Sequence, residues 1–441
     1  MNRQSLLMAF CTAAFVIGTR TNADAEILNS IASDTVVLDV NAAEQRLVSH
    51  SLIVLAAHYN VDIAKSEITQ AKAWYNPNIT YAQTLFDPST DQWLDNNPAS
   101  GQVDVQINQL ISVAGRHMDA VKLAKIDLER SQLAFDDLAR SLKFELYDDL
   151  ADLYEDEQTE NVFTAEINAL DQVIRAMQQE LSLGAAAGND VIRLKAERQS
   201  TISDQLANSN EISELESRLR ILLGYNENPY LKVVNVPMPT GNVPTLDSLL
   251  LAGSKRSDVL LANEDALWSK ENLKLQKVLA APDILVGTEY DRRSSYTNNL
   301  WMINAGIDIP IFNRNQGNIK AAQYALLQSQ VYDTLQMNTA AAEVVSSYRQ
   351  FLRIKQVRDS VVSQPGVISN TSSSRGSYSE DIDLLFTNAV NNYEHRTISL
   401  IEFLDQLRTY EEARTGLITL DSDYFRSAQQ LNYVTGTIVI H

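Results

Sequence analysis

The stretch "LWMINAGIDIPIFNRNQGNIKAA", Leu300–Ala322, decides how this chain is read. Its first half alternates. Trp301, Ile303, Ala305, Ile307 and Ile309 point one way, and Asn304, Gly306 and Asp308 the other. A period of two is the mark of a strand, whose successive side chains lie on opposite faces. The second half has the pattern of a helix start. Pro310 separates the two, because a residue without an N–H cannot continue a strand ladder. A strand with one oily and one polar face thus runs through an Ile-Pro-Ile-Phe-Asn corner straight into a helix.

Three further segments alternate in the same way: Asn78–Phe86, Gln102–Leu110 and Asp283–Tyr290. Val103, Val105 and Ile107 share one face of the second, and Ile284, Val286 and Tyr290 one face of the third. Polar loops, Asp87–Gly101 and Asp291–Asn299, tie the four segments into two hairpins. Each segment is near the roughly 9–11 residues that a tilted strand needs to cross a bilayer. A half-buried soluble sheet gives the same alternation. Four strands cannot close a membrane barrel, and open edges are not tolerated in lipid, so a barrel reading requires several chains.

The remainder reads as long helix. Arg116–Leu183 contains no Pro and no Gly, and Ile167, Leu170, Ile174, Met177 and Leu181 recur at coiled-coil spacing. At 1.5 Å per residue this helix is about 100 Å long. Helices are also expected over Asp190–Leu223 and Leu246–Ala280, which stacked end to end would match that height. Gly224–Thr245, with four prolines and two glycines, is a break between them. The chain repeats itself at an offset of about 200 residues: "NPNITY" corresponds to "APDILV", and "LISVAGRHMDAVKLA" to "DIPIFNRNQGNIKAA". The expected organisation is a signal peptide over 1–25, a first repeat over 26–245 (hairpin 78–110, tip 183–190) and a second over 246–441 (hairpin 283–309, tip 392–398).

Composition narrows the function. The 441 residues carry a formal charge of −20, which argues against nucleic acid as a partner. Arg3, the apolar run Ser5–Gly18 and the small-x-small site Ala23–Ala25 read as a secretory signal. The single cysteine, Cys11, lies inside it, so the mature chain has neither disulfide nor thiolate metal site. His50, His58, His117, His395 and His441 form no metal-ligand pair, and no phosphate loop or nucleophile elbow is present. No catalytic residue, metal site or cofactor is expected.

Four motifs, in order, carry a family resemblance: "VDIAKSEITQAKAWYNPNI" (61–79), "LSLGAAAGNDVIRLKAE" (181–197), "IPIFNRNQGNIKAA" (309–322) and "NNYEHRTISLIEFLDQLRTYEEA" (391–413). Over nearly its mature length the chain resembles the TolC family of outer-membrane efflux channels, in particular the heavy-metal-efflux (CzcC/CusC-like) branch. The resemblance implies a mainly α chain with a small β part, in which four strands from each of three copies close a 12-stranded barrel above a helical tunnel crossing the periplasm. It implies a passive duct in the outer membrane. Its partners would be outer-membrane lipid, two further copies of itself, a periplasmic adaptor protein and an inner-membrane pump of the RND type. It also implies site residues. Glu402 and Asp405, in "IEFLDQ", share a helix face and would form acidic constriction rings, with Asp190 matching more loosely. Packed like charges should raise their pKa values. Gly184, Asp190, Arg193, Arg396, Ser399 and Leu400 would meet the adaptor, while Arg193 and Lys195 would bridge to neighbouring helices. Trp74, Pro310 and Phe312 would mark the inner membrane interface. The chain departs from the family at two places. Arg396 stands where a turn glycine is usual, so another turn geometry is expected. Ser363–Asp381 inserts Pro, Gly and Ser into a helical column. A coiled-coil spacer or adhesin stalk accounts for the helices but not for the two-faced strands.

Overall fold

The computed structural model describes residues 35–88, 91–95, 97, 100–294, 297–364 and 377–440. The expected signal peptide with Cys11, and residues 365–376 of the insertion, lie outside them. Among the described residues the helices are α1 (Val40–His50), α2 (Leu52–Ala71), α3 (Arg116–Ser182), α4 (Gly188–Leu222), α5 (Leu246–Gly253), α6 (Ser257–Val278), α7 (Gln316–Val362), α8 (Tyr378–Glu394) and α9 (Leu400–Thr435). No single described helix is long and apolar enough to cross a membrane.

The 67 residues of α3 run unbroken, as expected of a stretch with no helix breaker. Leu246–Ala280, read from sequence as one helix, is two. Arg256 is extended (φ −60°, ψ 149°) and separates α5 from α6. Its buried guanidinium donates to Glu343 Oε2 (2.6 Å) and the Val434 carbonyl (3.2 Å), and also bonds Asp258. A charge that burial would otherwise penalise is thus satisfied at the break.

The end-to-end stacking also differs from the expected pairing of Asp190–Leu223 with Leu246–Ala280. Both α2 and α4 pack along α3, and both α6 and α9 along α7. The end of α4 meets the α1–α2 break, where Gly224 is left-handed (φ 66°). A Cβ there would lie 2.2 Å from the His50 carbonyl oxygen, so only glycine fits. The end of α9 meets the start of α6 in the same way, with Gly436 (φ 69°) against Arg256. The connector closes the waist with a short parallel pair that the sequence reading did not find, β1 (Thr35–Leu38) on β6 (Tyr230–Val233). Leu146, Leu150, Leu153, Leu219, Leu223 and Phe425 form the core beneath it.

The alternating segments become one antiparallel sheet of β2 (Asn78–Gln83), β5 (Val103–Ile111), β7 (Ile284–Arg293) and β8 (Asn298–Ile307), in the order β2-β5-β7-β8. A small hairpin, β3 (Phe86–Asp87) and β4 (Gln92–Trp93), decorates the first loop. The register, Tyr81 opposite Val105, Val105 opposite Tyr290 and Tyr290 opposite Trp301, gathers the oily side chains on one face. The other face gathers Asp104, Gln106, Asn108, Glu289 and Asn304. Gly287 lies between two asparagines there, and a Cβ would sit 2.0 Å from Asn108 Oδ1 and 2.3 Å from Asn304 Oδ1. Among the described residues nothing covers the oily face: Trp301 is 70% and Ile303 87% exposed.

Candidate functional site at the helical tips

The two helical hairpins, α3–α4 and α8–α9, end beside each other. Leu170, Val173 and Ile174 of α3, Leu194 of α4, Ala389 and Tyr393 of α8 and Leu400, Phe403 and Leu407 of α9 share one buried cluster. Tyr393 stacks on Phe403 with centroids 4.8 Å apart.

Both turns close by the same backbone device. Gly184 (φ 73°) ends α3: its N–H donates to the Leu181 carbonyl (3.0 Å), and that of Ala185 to the Glu180 carbonyl (2.9 Å). Arg396 ends α8 with φ 57°; its N–H donates to the Tyr393 carbonyl (3.0 Å), and that of Thr397 to the Asn392 carbonyl (2.9 Å). This is the Schellman pattern. The expectation of another geometry at Arg396 is therefore corrected. The arginine adopts the glycine conformation, at a cost of about 1 kcal/mol. What holds it there is its side chain, which reaches the first tip: Nε donates to Glu180 Oε1 at 3.3 Å, and the guanidinium also pairs with Oε2.

The acidic pair lies just beyond. Ser399 caps α9, accepting from the Glu402 N–H (3.3 Å), while Glu402 Oε2 accepts from the Ser399 N–H (2.8 Å). Such a reciprocal box satisfies two orphan donors at once. It also reverses the expected pKa direction within one chain. The Ser399 backbone donor, followed by its hydroxyl, holds Glu402 below the usual carboxylate range. Asp405, one turn on, is exposed and pairs with no cation among the described residues. Asp190, in the first turn of α4, lines a cavity of about 250 Å³ between the tips, with Glu180, Tyr393, Glu394 and Arg396.

Three expected tip residues stand differently. Leu400 is only 8% exposed, because it is the first apolar residue of α9 and packs into the tip core. Arg193 and Lys195 are exposed, and neither makes an ion pair among the described residues. The cross-helix bridge is made instead by Arg198, whose Nε and Nη2 hold Asp171 of α3 at 2.6 and 3.1 Å. At the far end of the helices Trp74 stacks on His117 (4.8 Å), and Phe312 is 92% exposed at the Pro310 corner.

Sequence reasoning missed an acidic seam above the tips. Glu166 of α3 is 1% exposed, and no hydrogen-bond donor reaches its carboxyl among the described residues. Burial pushes its pKa up to about 8, helped by Glu411 of α9 and by Glu197 and Asp204 of α4. Burial likewise lifts Asp156 to about 7, with Glu211, Glu155 and Asp152 adding to it. Arg426 answers this charge, with Nη2 at 2.5 Å from both Asp152 and Glu155. The signal in the sequence was a glutamate in the apolar stripe Val162–Glu166–Ala169–Val173, where a heptad wants an aliphatic residue. Among the described residues no group of His, Cys, Asp or Glu has the arrangement of a metal site.

No protein-family profile matches the chain. It is homologous to the cation efflux system protein CusC of Escherichia coli, 24% identical over 329 residues; the match covers 69% of this chain and 66% of that relative. Among solved structures, CusC superposes with a TM-score of 0.68 at 17% identity, over 90% of this chain and 92% of CusC. The Campylobacter jejuni CmeC outer membrane channel superposes with a TM-score of 0.72 at 14% identity, over 90% of this chain and 85% of CmeC. The fold is that of the TolC-like outer-membrane channels.

Proposed function

We propose that this chain is the outer-membrane exit duct of a tripartite efflux system, a passive conduit for metal cations or small toxic compounds. Its localisation is the outer membrane, with the helices in the periplasm. The observation that carries this reading is the sheet. Among the described residues its oily face is bare, and β2 and β8 each pair on one side only. In lipid such edges must be paired, and three copies would join them into 12 strands. The polar face with Asp104, Glu289 and Asn304 would then line water, and the helices would continue the wall. A coiled-coil spacer would leave this face unexplained.

A periplasmic adaptor and an inner-membrane pump, of the RND type on resemblance alone, complete the proposal; selectivity would rest with the pump. The tips would be the adaptor contacts through Gly184, Asp190, Arg193, Arg396 and Ser399. Three-fold copies of Asp405, with Glu402 and Asp190, would form the constriction, whose field favours cations. Opening needs a partner that binds the splayed tips better than the closed ones. Single-channel recording in planar bilayers tests this. Wild type should conduct with cation preference, and Asp405→Ala should weaken that preference. Glu402→Ala also removes a helix cap, so it is the less clean substitution. An unchanged Asp405→Ala channel would remove the gate assignment, and a wild type that never conducts would remove the duct.

A further inference from the structure

The ends of the helices that meet the sheet invert the charge of the molecule. The strand-facing ten residues of α2, α3, α6 and α7, together with the loops 72–77, 112–115, 279–283 and 308–315, carry ten Lys and Arg against six Asp and Glu, in a chain of net charge −20. The acids are largely spoken for. Lys122 pairs with Glu271 (2.7 Å), Lys274 with Asp119 (2.6 Å) and Arg116 with Asp283. Lys72, Lys125, Lys270, Lys277, Arg314 and Lys320 are exposed and make no ion pair among the described residues. Local attraction between side chains therefore does not account for them.

Two of these cations converge on a cleft. A hollow of about 420 Å³ between the end of α2 and the first turns of α3 is lined by Lys72, His117, Met118, Val121, Lys122 and Lys125. Lys72 and Lys125 thus share the cleft with the apolar Met118 and Val121, and the Trp74 ring stacks on His117 beside it. The aromatic side chains Trp74, Tyr75 and Phe312, all in connections between these helices and the strands, are exposed. Aromatic rings settle at the headgroup level of a bilayer, and lysines there lay their stems on apolar surface while the ammonium reaches phosphate. Lys122 and Lys125 lie about 9–14 Å along α3 from its first residue, within reach of that layer.

We propose that this cleft is a binding site for the headgroup of an anionic phospholipid of the leaflet that faces the periplasm, with the unpaired Lys72 and Lys125 on the phosphate and Met118, Val121 and Trp74 against the glycerol and upper acyl chain. The basic belt around it attracts the same lipids less specifically. The inference rests on the outer-membrane reading above.

The test uses the full-length protein purified in neutral detergent and titrated with dioleoyl phosphatidylglycerol or dioleoyl phosphatidylcholine in mixed micelles. Native mass spectrometry counts retained lipid. Phosphatidylglycerol should be retained at least tenfold more strongly than phosphatidylcholine. Lys72→Glu with Lys125→Glu should abolish that preference, whereas Lys255→Glu, at the α5–α6 break, should keep it. Circular dichroism confirms that each variant is folded. Equal retention of the two lipids, an undiminished preference in the double variant, or displacement of the lipid by millimolar inorganic phosphate would each overturn the proposal. Flotation with phosphatidylcholine liposomes reads the membrane assignment separately: a chain that never floats overturns that assignment, and the micelle titration still decides the cleft.

Discussion

The sheet and the tips solve the same problem in opposite ways. At the tips, apolar side chains from α3, α4, α8 and α9 bury one another, and the turns are tied by Arg396 on Glu180. In the sheet, Ile79, Tyr81, Trp301, Ile303 and Ile307 stand together with none of the described residues on them. The tip core is complete in one copy, whereas the sheet, on the proposed reading, is half of an interface. Stability at the tips should be a property of the chain, and stability of the sheet a property of what surrounds it.

The largest effects separate the two regions. Phe403 is fully buried, so Phe403→Ala should cost about 3–5 kcal/mol. Thermal unfolding should report that loss equally in detergent and in lipid. Ile303→Arg should do the reverse. It should cost about 2–4 kcal/mol per copy in bilayers, where an arginine on the lipid face must be desolvated, and less in detergent, whose thin micelle deforms to let the guanidinium reach water. If Ile303→Arg is as harmful in detergent as in lipid, the oily face is covered by protein and the contrast breaks.

A middle-sized effect sharpens the contrast with pH. The raised pKa of Glu166 penalises the folded state once the unfolded chain ionises, above about pH 4.5, and the penalty grows until about pH 8. Glu166→Gln should therefore match wild type near pH 4 and be more stable by roughly 2 kcal/mol or more at pH 8. Denaturant midpoints across that range check it, and a difference independent of pH would mean that the carboxyl is already solvated. Smaller still is Arg396→Gly. Relief of the left-handed strain, about 1 kcal/mol, offsets a loss of similar size when the Glu180 pair goes. Stability should move by less than about 1 kcal/mol, while limited proteolysis at the α8–α9 turn should quicken as the tie between tips is released.

Much of the fold was legible because its signals are local. Alternation in Trp301–Ile309 and the absence of breakers in Arg116–Leu183 fixed the strands and the longest helix without any knowledge of contacts. What was not legible depends on distant partners. The break at Arg256 exists because Glu343 and the Val434 carbonyl wait for its guanidinium. The stacking of α4 on α2 turns on the fit of Gly224 against His50. At the tips, the acidic pair could be found in the sequence, but the use of Glu402 as a cap could not be separated from a gate role until Ser399 was seen bonded to it. The left-handed Arg396 was invisible because Glu180, its reason, lies in the other hairpin.

The most direct measurement concerns Trp301. A variant with Trp74, Trp93 and Trp268 replaced by Phe leaves it as the only tryptophan. Reconstituted with lipids brominated on the acyl chain, Trp301 should be strongly quenched by bromine and spared by aqueous iodide. Quenching by iodide alone, or by neither, would mean that the oily face of the sheet meets water or protein, and the duct would have no membrane to cross.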